Sequence, residues 1–309
     1  MNRPNFPLIW DNTMRGTLVE CPRKLQRSFI EGWAPAQPNV HLHAGGAFAA
    51  AIETTRRSFW SDGLSPEVSL GLGAQRLIEY YGTFEPDDRY KNKRFDRMLE
   101  ALAVYFQTYK LGSDYLIPFQ TAGNYCIEFT FAIPIDPSLK HPVTGDEILV
   151  AGRFDMLGIH RFQNVLFCVD EKTASQLGAQ WANQWDFQGQ FTTYCWAARQ
   201  FGYPVAGAII RGMGMYATEV KPVEVVTYRL PDRIERWRLQ FVRDVKRAIR
   251  MWEEGYFDMA EDHACSSFGG CGFREVCFNT EPERRLQSNF TKRSWNPLEK
   301  DPQGWKEAA

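Results

Sequence analysis

The stretch AGRFDMLGIHRFQNVLFCVDEKTA, Ala151 to Ala174, decides how the chain is read. Two apolar segments flank the turn RFQN and carry Asp155, Asp170, Glu171 and Lys172. Runs such as FDMLGI and VLFCV are too apolar for an exposed ribbon, so the strand ends are expected to be buried and their charges to need a reason. With the turn centred between Phe162 and Gln163, Asp155 falls directly opposite Asp170, at a Cβ separation of about 5 Å if the two share a face. A strand's period of two puts Asp170 and Lys172 on one face and Glu171 on the other. Carboxylates that close repel unless a proton or a cation lies between them. A hard divalent ion, Mg²⁺ or Mn²⁺, takes oxygen ligands and fits that demand. Lys172 could then orient a water or neutralise a phosphoryl transition state.

Working outward, the chain has 309 residues, 44% of them hydrophobic, enough for one large domain or two small ones. Thirty-six basic against thirty-seven acidic residues give a formal charge of −1, so a polyanion would have to be held by a local patch rather than by the whole molecule's field. No run approaches the roughly 20 apolar residues of a membrane span, and MNRPNFPLIWDN has no signal-peptide pattern, so an intracellular (cytoplasmic) location is expected. There is no internal repeat and no low-complexity tract.

Helical periodicity marks segments near 46–61, 66–82 and 93–110, and alternation marks strands near 124–134, 147–160 and 164–172. A helix near 180–201, strands in GYPVAGAIIRGM and EVVTYRL, and a long helix near 231–255 follow. That order predicts an α/β fold with a mixed sheet. Residues after about 280 are polar and rich in Pro and Trp, which predicts a surface segment without regular structure. Gln190 and Tyr194 form an i,i+4 pair on the helix after the hairpin.

The succession Gly152-Arg-Phe-Asp155, Asp170-Glu-Lys172 and Gln190-x-x-x-Tyr194 resembles, in order and spacing, the GxxD, (D/E)xK and QxxxY motifs of the PD-(D/E)xK nucleases in their RecB-like branch. The resemblance runs from about residue 13 to 277. It implies a restriction-endonuclease-like core, a mixed central sheet flanked by helices. It also implies Asp155 and Asp170 as Mg²⁺ or Mn²⁺ ligands with the Glu171 main chain near the metal, Lys172 as the catalytic lysine, and Gln190 and Tyr194 positioning DNA. The domain expectation is one nuclease domain over 1–280, with a helical insertion at about 44–112, a core at about 120–255 and an extension over 281–309.

Cys265, Cys271 and Cys277 lie in HACSSFGGCGFREVC, and Cys21 stands far away in VECPRKLQ. Without an export signal, seven cysteines suggest metal ligation more than disulfides, and thiolates in a fourfold set suit an iron–sulfur cluster or zinc. The paired knuckles usual at zinc are absent. A three-plus-one set resembles the 4Fe-4S clasp of iron–sulfur relatives, AddB-type and CRISPR adaptation nucleases, where a CPRK-like segment supplies the single cysteine. Those relatives show C-x2-C-x5-C where this chain has C-x5-C-x5-C, and His263 is a conceivable substitute ligand. Cys126, Cys168 and Cys195 read as small buried hydrophobes.

One departure stands out. Where the family's early helix presents a His in G-x-x-x-H-x-x-x-E, this chain has Ala49, between Gly45 and Glu53. Glu53 or, better, Glu128 could supply the missing oxygen, and His43 is near in sequence. Arg89, Lys91, Lys93 and Arg94, in RYKNKRFDR, together with Arg23 and Lys24, are candidate phosphate contacts. The resemblance implies a deoxyribonuclease acting on DNA, as an exonuclease on single-stranded ends, in repair or recombination. The rival expectation is a DNA-binding or assembly protein that keeps the fold without turnover.

Overall fold

The computed structural model describes residues 5–36, 40–261, 263–266 and 270–299, the side chains of Arg89 and His263 excepted. In chain order the elements are β1 (Ile9–Trp10), α1 (Asn12–Glu20), α2 (Pro22–Leu25), β2 (Trp33–Pro35), α3 (Val40–Trp60), α4 (Pro66–Tyr81) and α5 (Phe95–Thr108). Then come β3 (Leu116–Pro118), β4 (Gln120–Thr121), β5 (Asn124–Tyr125), β6 (Ile127–Pro134), β7 (Leu149–His160) and β8 (Val165–Ala174). The chain continues through α6 (Ala179–Asn183), α7 (Gly189–Gln200), β9 (Gly207–Met215), β10 (Val220–Tyr228) and α8 (Pro231–Glu254). It closes with α9 (His263–Ser266), α10 (Arg274–Cys277), α11 (Pro282–Asn289) and β11 (Phe290–Lys292).

The chain divides into two compact units. One is formed by 1–37, 130–152 and 235–309, the other by 38–129 and 153–234.

The second unit holds a mixed sheet. β7 and β8 form an antiparallel hairpin, β8 and β9 run parallel, and β10 closes antiparallel on β9, while β3 pairs with the far end of β7. Parallel pairing of β8 with β9 requires a crossover, and α6 and α7 supply it. β9 is buried along its whole length, as a central strand covered on both faces should be. Side chains of α3 and α5 meet β8 and β9 through one face, and α7 packs against the same strands from the other. The core beneath α3, α4 and α5 includes Phe48, Ile52, Leu77, Met98, Leu102 and Tyr105. Close approach within this sheet needs glycine. At Gly207 a Cβ would overlap the Thr227 carbonyl, and at Gly212 it would overlap the Trp181 ring.

In the first unit, β1 runs parallel to the start of β7, and Phe6 packs on Trp10 and Trp252 with ring centroids 5.7 and 5.9 Å away. Asp11 caps α1, accepting from the Met14 amide at 2.8 Å.

Two expectations are corrected. The helix expected over 180–201 is broken: Gln184–Asp186 form a single 3₁₀ turn and Gln188 is extended before α7 starts at Gly189. Burial of Trp185, with Asp186 accepting from the Thr227 hydroxyl at 2.8 Å, holds that break. Beyond residue 280, α11 and β11 are regular. Leu286 packs with Phe273 and Val276, and β11 pairs with β2 from Phe290 opposite Pro35 to Lys292 opposite Trp33.

Candidate functional site

The β7–β8 hairpin has the register that sets Met156 opposite Val169, and the ladder stops there, one step short of Asp155 and Asp170. The reason is local. The Glu171 amide, which would otherwise continue a ladder, donates instead to Asp155 Oδ2 at 3.0 Å. A carboxylate replaces a backbone carbonyl, and the strands part where the acidic side chains begin.

Strand parity then divides the acidic segment. Asp170 and Lys172 face α7, where the Lys172 ammonium lies 2.5 Å from Asp170 Oδ2. Gln190 Nε2 donates to Asp170 Oδ1 at 3.2 Å and to the Tyr194 hydroxyl at 2.8 Å. Glu171 points the other way, where Arg56 of α3 and Tyr105 of α5 both donate to its Oε1. Farther along that face the buried Lys93 donates to the Thr173 hydroxyl at 2.8 Å.

The electrostatics follow from burial and crowding. Burial raises the Asp155 pKa well above the carboxylate range, and the charges of Asp170, Glu128 and Glu171 raise it further, against Lys172. Burial likewise raises Asp170, opposed by Lys172. Glu171 is lowered despite its burial, because the Arg56 guanidinium and the Tyr105 hydroxyl favour its anion. Tyr194 is raised well above the phenol range by burial and by Asp170 and Asp155, so its hydroxyl keeps its proton.

Glu128 enters from β6 with φ of 53°, a left-handed conformation that costs a non-glycine residue about 1–3 kcal/mol. Arg153 holds its carboxylate at 2.8 Å.

Among the described residues no group of three or more His, Cys, Asp or Glu side chains is drawn together as a ready metal site. The donor chemistry nonetheless suits a hard divalent cation. Asp155, Asp170 and Glu128 are oxygen donors crowded enough that Asp170 and Glu128 raise the proton affinity of Asp155, and the buried Asp170 Oδ2 has only the Lys172 ammonium beside it. A divalent charge would relieve that repulsion.

Other candidates stand elsewhere. Glu53 is buried and paired with Arg57 at 2.9 Å, while Arg57 also donates to the Ile127 carbonyl at 2.7 Å. His43 is engaged with the Tyr81 carbonyl at 3.1 Å and packs on Phe84. Lys93 departs from its expected role as a phosphate contact. It is 1% exposed, and burial lowers its pKa to about 8. Lys91 and Arg94 are exposed. The side chains of Arg89 and His263 lie outside the described residues. Lys24 pairs with Glu20 at 2.9 Å, and the Arg23 guanidinium lies 4.9 Å from the centre of the Tyr256 ring.

Of the cysteines, Cys126, Cys168 and Cys195 are buried, and so, of the other four, is Cys21. The other four lie in the first unit, near enough to interact. Burial raises Cys265 and Cys277, and Cys271 and Cys21 add to the rise in each, while Arg23 and Arg27 oppose it at Cys277. The Cys271 amide donates to the Cys265 carbonyl at 3.1 Å, the Cys277 amide donates to the Phe273 carbonyl at 2.9 Å, and Cys271 and Cys277 pack against the Phe273–Val276–Leu286 cluster.

The profile of the PD-(D/E)XK nuclease superfamily matches residues 16–278. The chain belongs to the PD-(D/E)XK nuclease superfamily. Members are typically nucleases and generally use divalent metal ions, so the assignment points to a metal-dependent nuclease built on a mixed α/β core. No curated protein matches the chain. Among solved structures, one titled "Crystal structure of SSO0001" aligns at 11% identity over 70% of this chain and 78% of its own, with a TM-score of 0.28, too slight a likeness to carry an argument. No described helix is long and apolar enough to cross a membrane.

Sequence reasoning missed Arg56, Tyr105 and Arg211. Arg211, 1% exposed, is held by Asp114 at 2.6 Å and Glu224 at 2.9 Å, next to the Glu171 clamp. The only available signal was Glu171 itself, an acid on a buried strand that must have a cationic partner.

Proposed function

We propose that the protein is a RecB-like, Mg²⁺- or Mn²⁺-dependent deoxyribonuclease that hydrolyses phosphodiester bonds of single-stranded DNA from its ends. The observation that carries this reading is the convergence of Asp155, Asp170 and Lys172 at the point where the β7–β8 ladder opens. Asp155 and Asp170 would hold the metal, with the Glu171 main chain beside it and Glu128 as a further oxygen donor. The metal, when bound, supplies Lewis-acid stabilisation of phosphoryl charge. Lys172 holds a proton at Nζ beside Asp170 and faces the attacking water. Gln190 fixes the Asp170 carboxylate and, with Tyr194, steadies the DNA strand. Exposed Lys91 and Arg94, together with Arg23 and Lys24, would contact phosphates.

Residues 1–280 would work as the nuclease domain, in an intracellular setting. Cys21, Cys265, Cys271 and Cys277 would hold a 4Fe-4S cluster. That Cys21 and Cys271 lie close enough to raise the Cys265 and Cys277 thiols supports that ligand set over isolated buried cysteines. Zinc is the alternative occupant.

The test uses end-labelled linear and closed circular single strands with Mg²⁺. Degradation of the linear strand alone, lost in Lys172→Ala, is expected. Wild-type binding without cutting would favour the rival non-catalytic reading, to which Ala49 at the family's His position lends support. Visible iron–sulfur absorption that bleaches on oxidation is expected of protein purified without oxygen. Stoichiometric zinc in a colourless protein would overturn the cluster.

A further inference from the structure

The solvent face of α8 carries an unusual distribution of charge. Arg236, Arg243, Lys246, Arg247 and Arg250 are all exposed. At 100° per residue they fall within one stripe of the helix, extending about 21 Å from Arg236 to Arg250. No acid interrupts the stripe. Between these two arginines α8 has a single carboxylate, Asp244, which turns inward to pair with Arg15 at 2.9 Å. Arg247 reaches Asp258 at 3.1 Å, whereas Arg243, Lys246 and Arg250 have no ion pair among the described residues. In a chain with a formal charge of −1, this concentration is local.

Resting on the nuclease reading, we infer that the outer face of α8 is a further, sequence-independent docking surface for the phosphate backbone of duplex DNA, built from none of the hydrolytic residues. Charge complementarity selects the occupant. Duplex DNA presents one negative charge per about 1.7 Å of axis, so a stripe of this length meets several phosphates and releases their counterions. A membrane surface fits less well. An interfacial helix needs a free apolar face, and here Trp237, Phe241, Val242, Val245, Ala248 and Met251 are buried. Of the three cations without an ion pair among the described residues, Arg243 and Arg250 are arginines, whose planar fork suits phosphate oxygens, and Lys246 adds a point charge.

The experiment compares the full-length wild type with Arg243→Gln/Lys246→Gln/Arg250→Gln. Anisotropy of a labelled duplex is followed across a salt series in Ca²⁺ without Mg²⁺, alongside Mg²⁺-dependent hydrolysis of a short single-stranded oligonucleotide. The variant should bind the duplex more weakly. Its dependence of log K on log salt should be shallower by up to about 2.7, at about 0.9 per lost phosphate contact. Arg243→Lys/Arg250→Lys should retain wild-type binding, which separates loss of charge from loss of fold. Hydrolysis of the oligonucleotide should be unchanged in the triple variant. An unchanged duplex salt slope overturns the inference, as does substitution-sensitive binding to phosphatidylserine vesicles in place of DNA. Because the oligonucleotide assay reports on the hydrolytic site and the salt slope on α8, an inactive wild type that still shows the salt-slope difference would refute the nuclease reading and leave this surface standing.

Discussion

Glu171 separates two kinds of charge on a single strand. Its neighbours Asp170 and Lys172 face α7, whereas its own carboxylate is buried against Arg56 and Tyr105. Breaking a buried ion pair by removing one partner leaves the other charge uncompensated, at a cost of about 3–5 kcal/mol. Arg56→Met is therefore expected to lower stability by about that much in denaturant titration, and Arg56→Met/Glu171→Leu to lower it by less. A double variant as damaged as the sum of the two singles would show that the pair is not coupled. Lys93 gives a pH-dependent counterpart. Its folded pKa is lowered by burial to about 8, so between there and the unfolded value of 10.5 the unfolded chain binds more protons and stability rises with pH. Below that window the penalty is fully present, at roughly 3 kcal/mol. Lys93→Met should raise the melting temperature at pH 7 and narrow its lead as pH climbs through the window. A difference between the two proteins that stays constant with pH would refute the assignment.

At the scale of elements, the hairpin was legible because its two signals are rigid rules. A two-residue period fixes which side chains share a face, and the turn position fixes what opposes what, so the expected register and the split of Asp170 and Lys172 from Glu171 both follow from sequence. What fills the opposite face was not legible. Any of thirty-six basic residues could have answered Glu171, and the choice of Arg56 depends on how α3 crosses β8, a tertiary fact. The break before α7 escaped for a similar reason, since a buried Trp185 and the Asp186 bond to Thr227 override a continuous helical pattern. Regular structure beyond residue 280 was missed because Leu286 and Phe290 are sparse apolar anchors in a polar segment. The sheet also rests on close packing. Gly207 lies against the Thr227 carbonyl of the paired strand, so Gly207→Ala has no flexible neighbour to displace and should cost about 1–3 kcal/mol by thermal melting. An unchanged melting temperature would mean that the β9–β10 approach is looser than described.

For the whole molecule, the central proposal is that a superfamily nuclease crowds the half-buried Asp155 against the buried Asp170 because a divalent ion would join them during catalysis. Burial raises Asp155 and Asp170, and neighbouring carboxylates add to the rise in each, so a divalent cation bound there would compete with protons. Ala49 stands where the resemblance expects the family's His, so in this reading the burden falls on the acids that remain. The most direct measurement is the rate of DNA hydrolysis by wild type and Asp170→Asn, each titrated with Mg²⁺ from a chelator-stripped start. The account predicts no hydrolysis by stripped wild type, recovery that saturates with Mg²⁺, and a loss of at least about 100-fold in Asp170→Asn at saturating metal. Hydrolysis that persists without metal, or that Asp170→Asn retains at the wild-type rate, would contradict it.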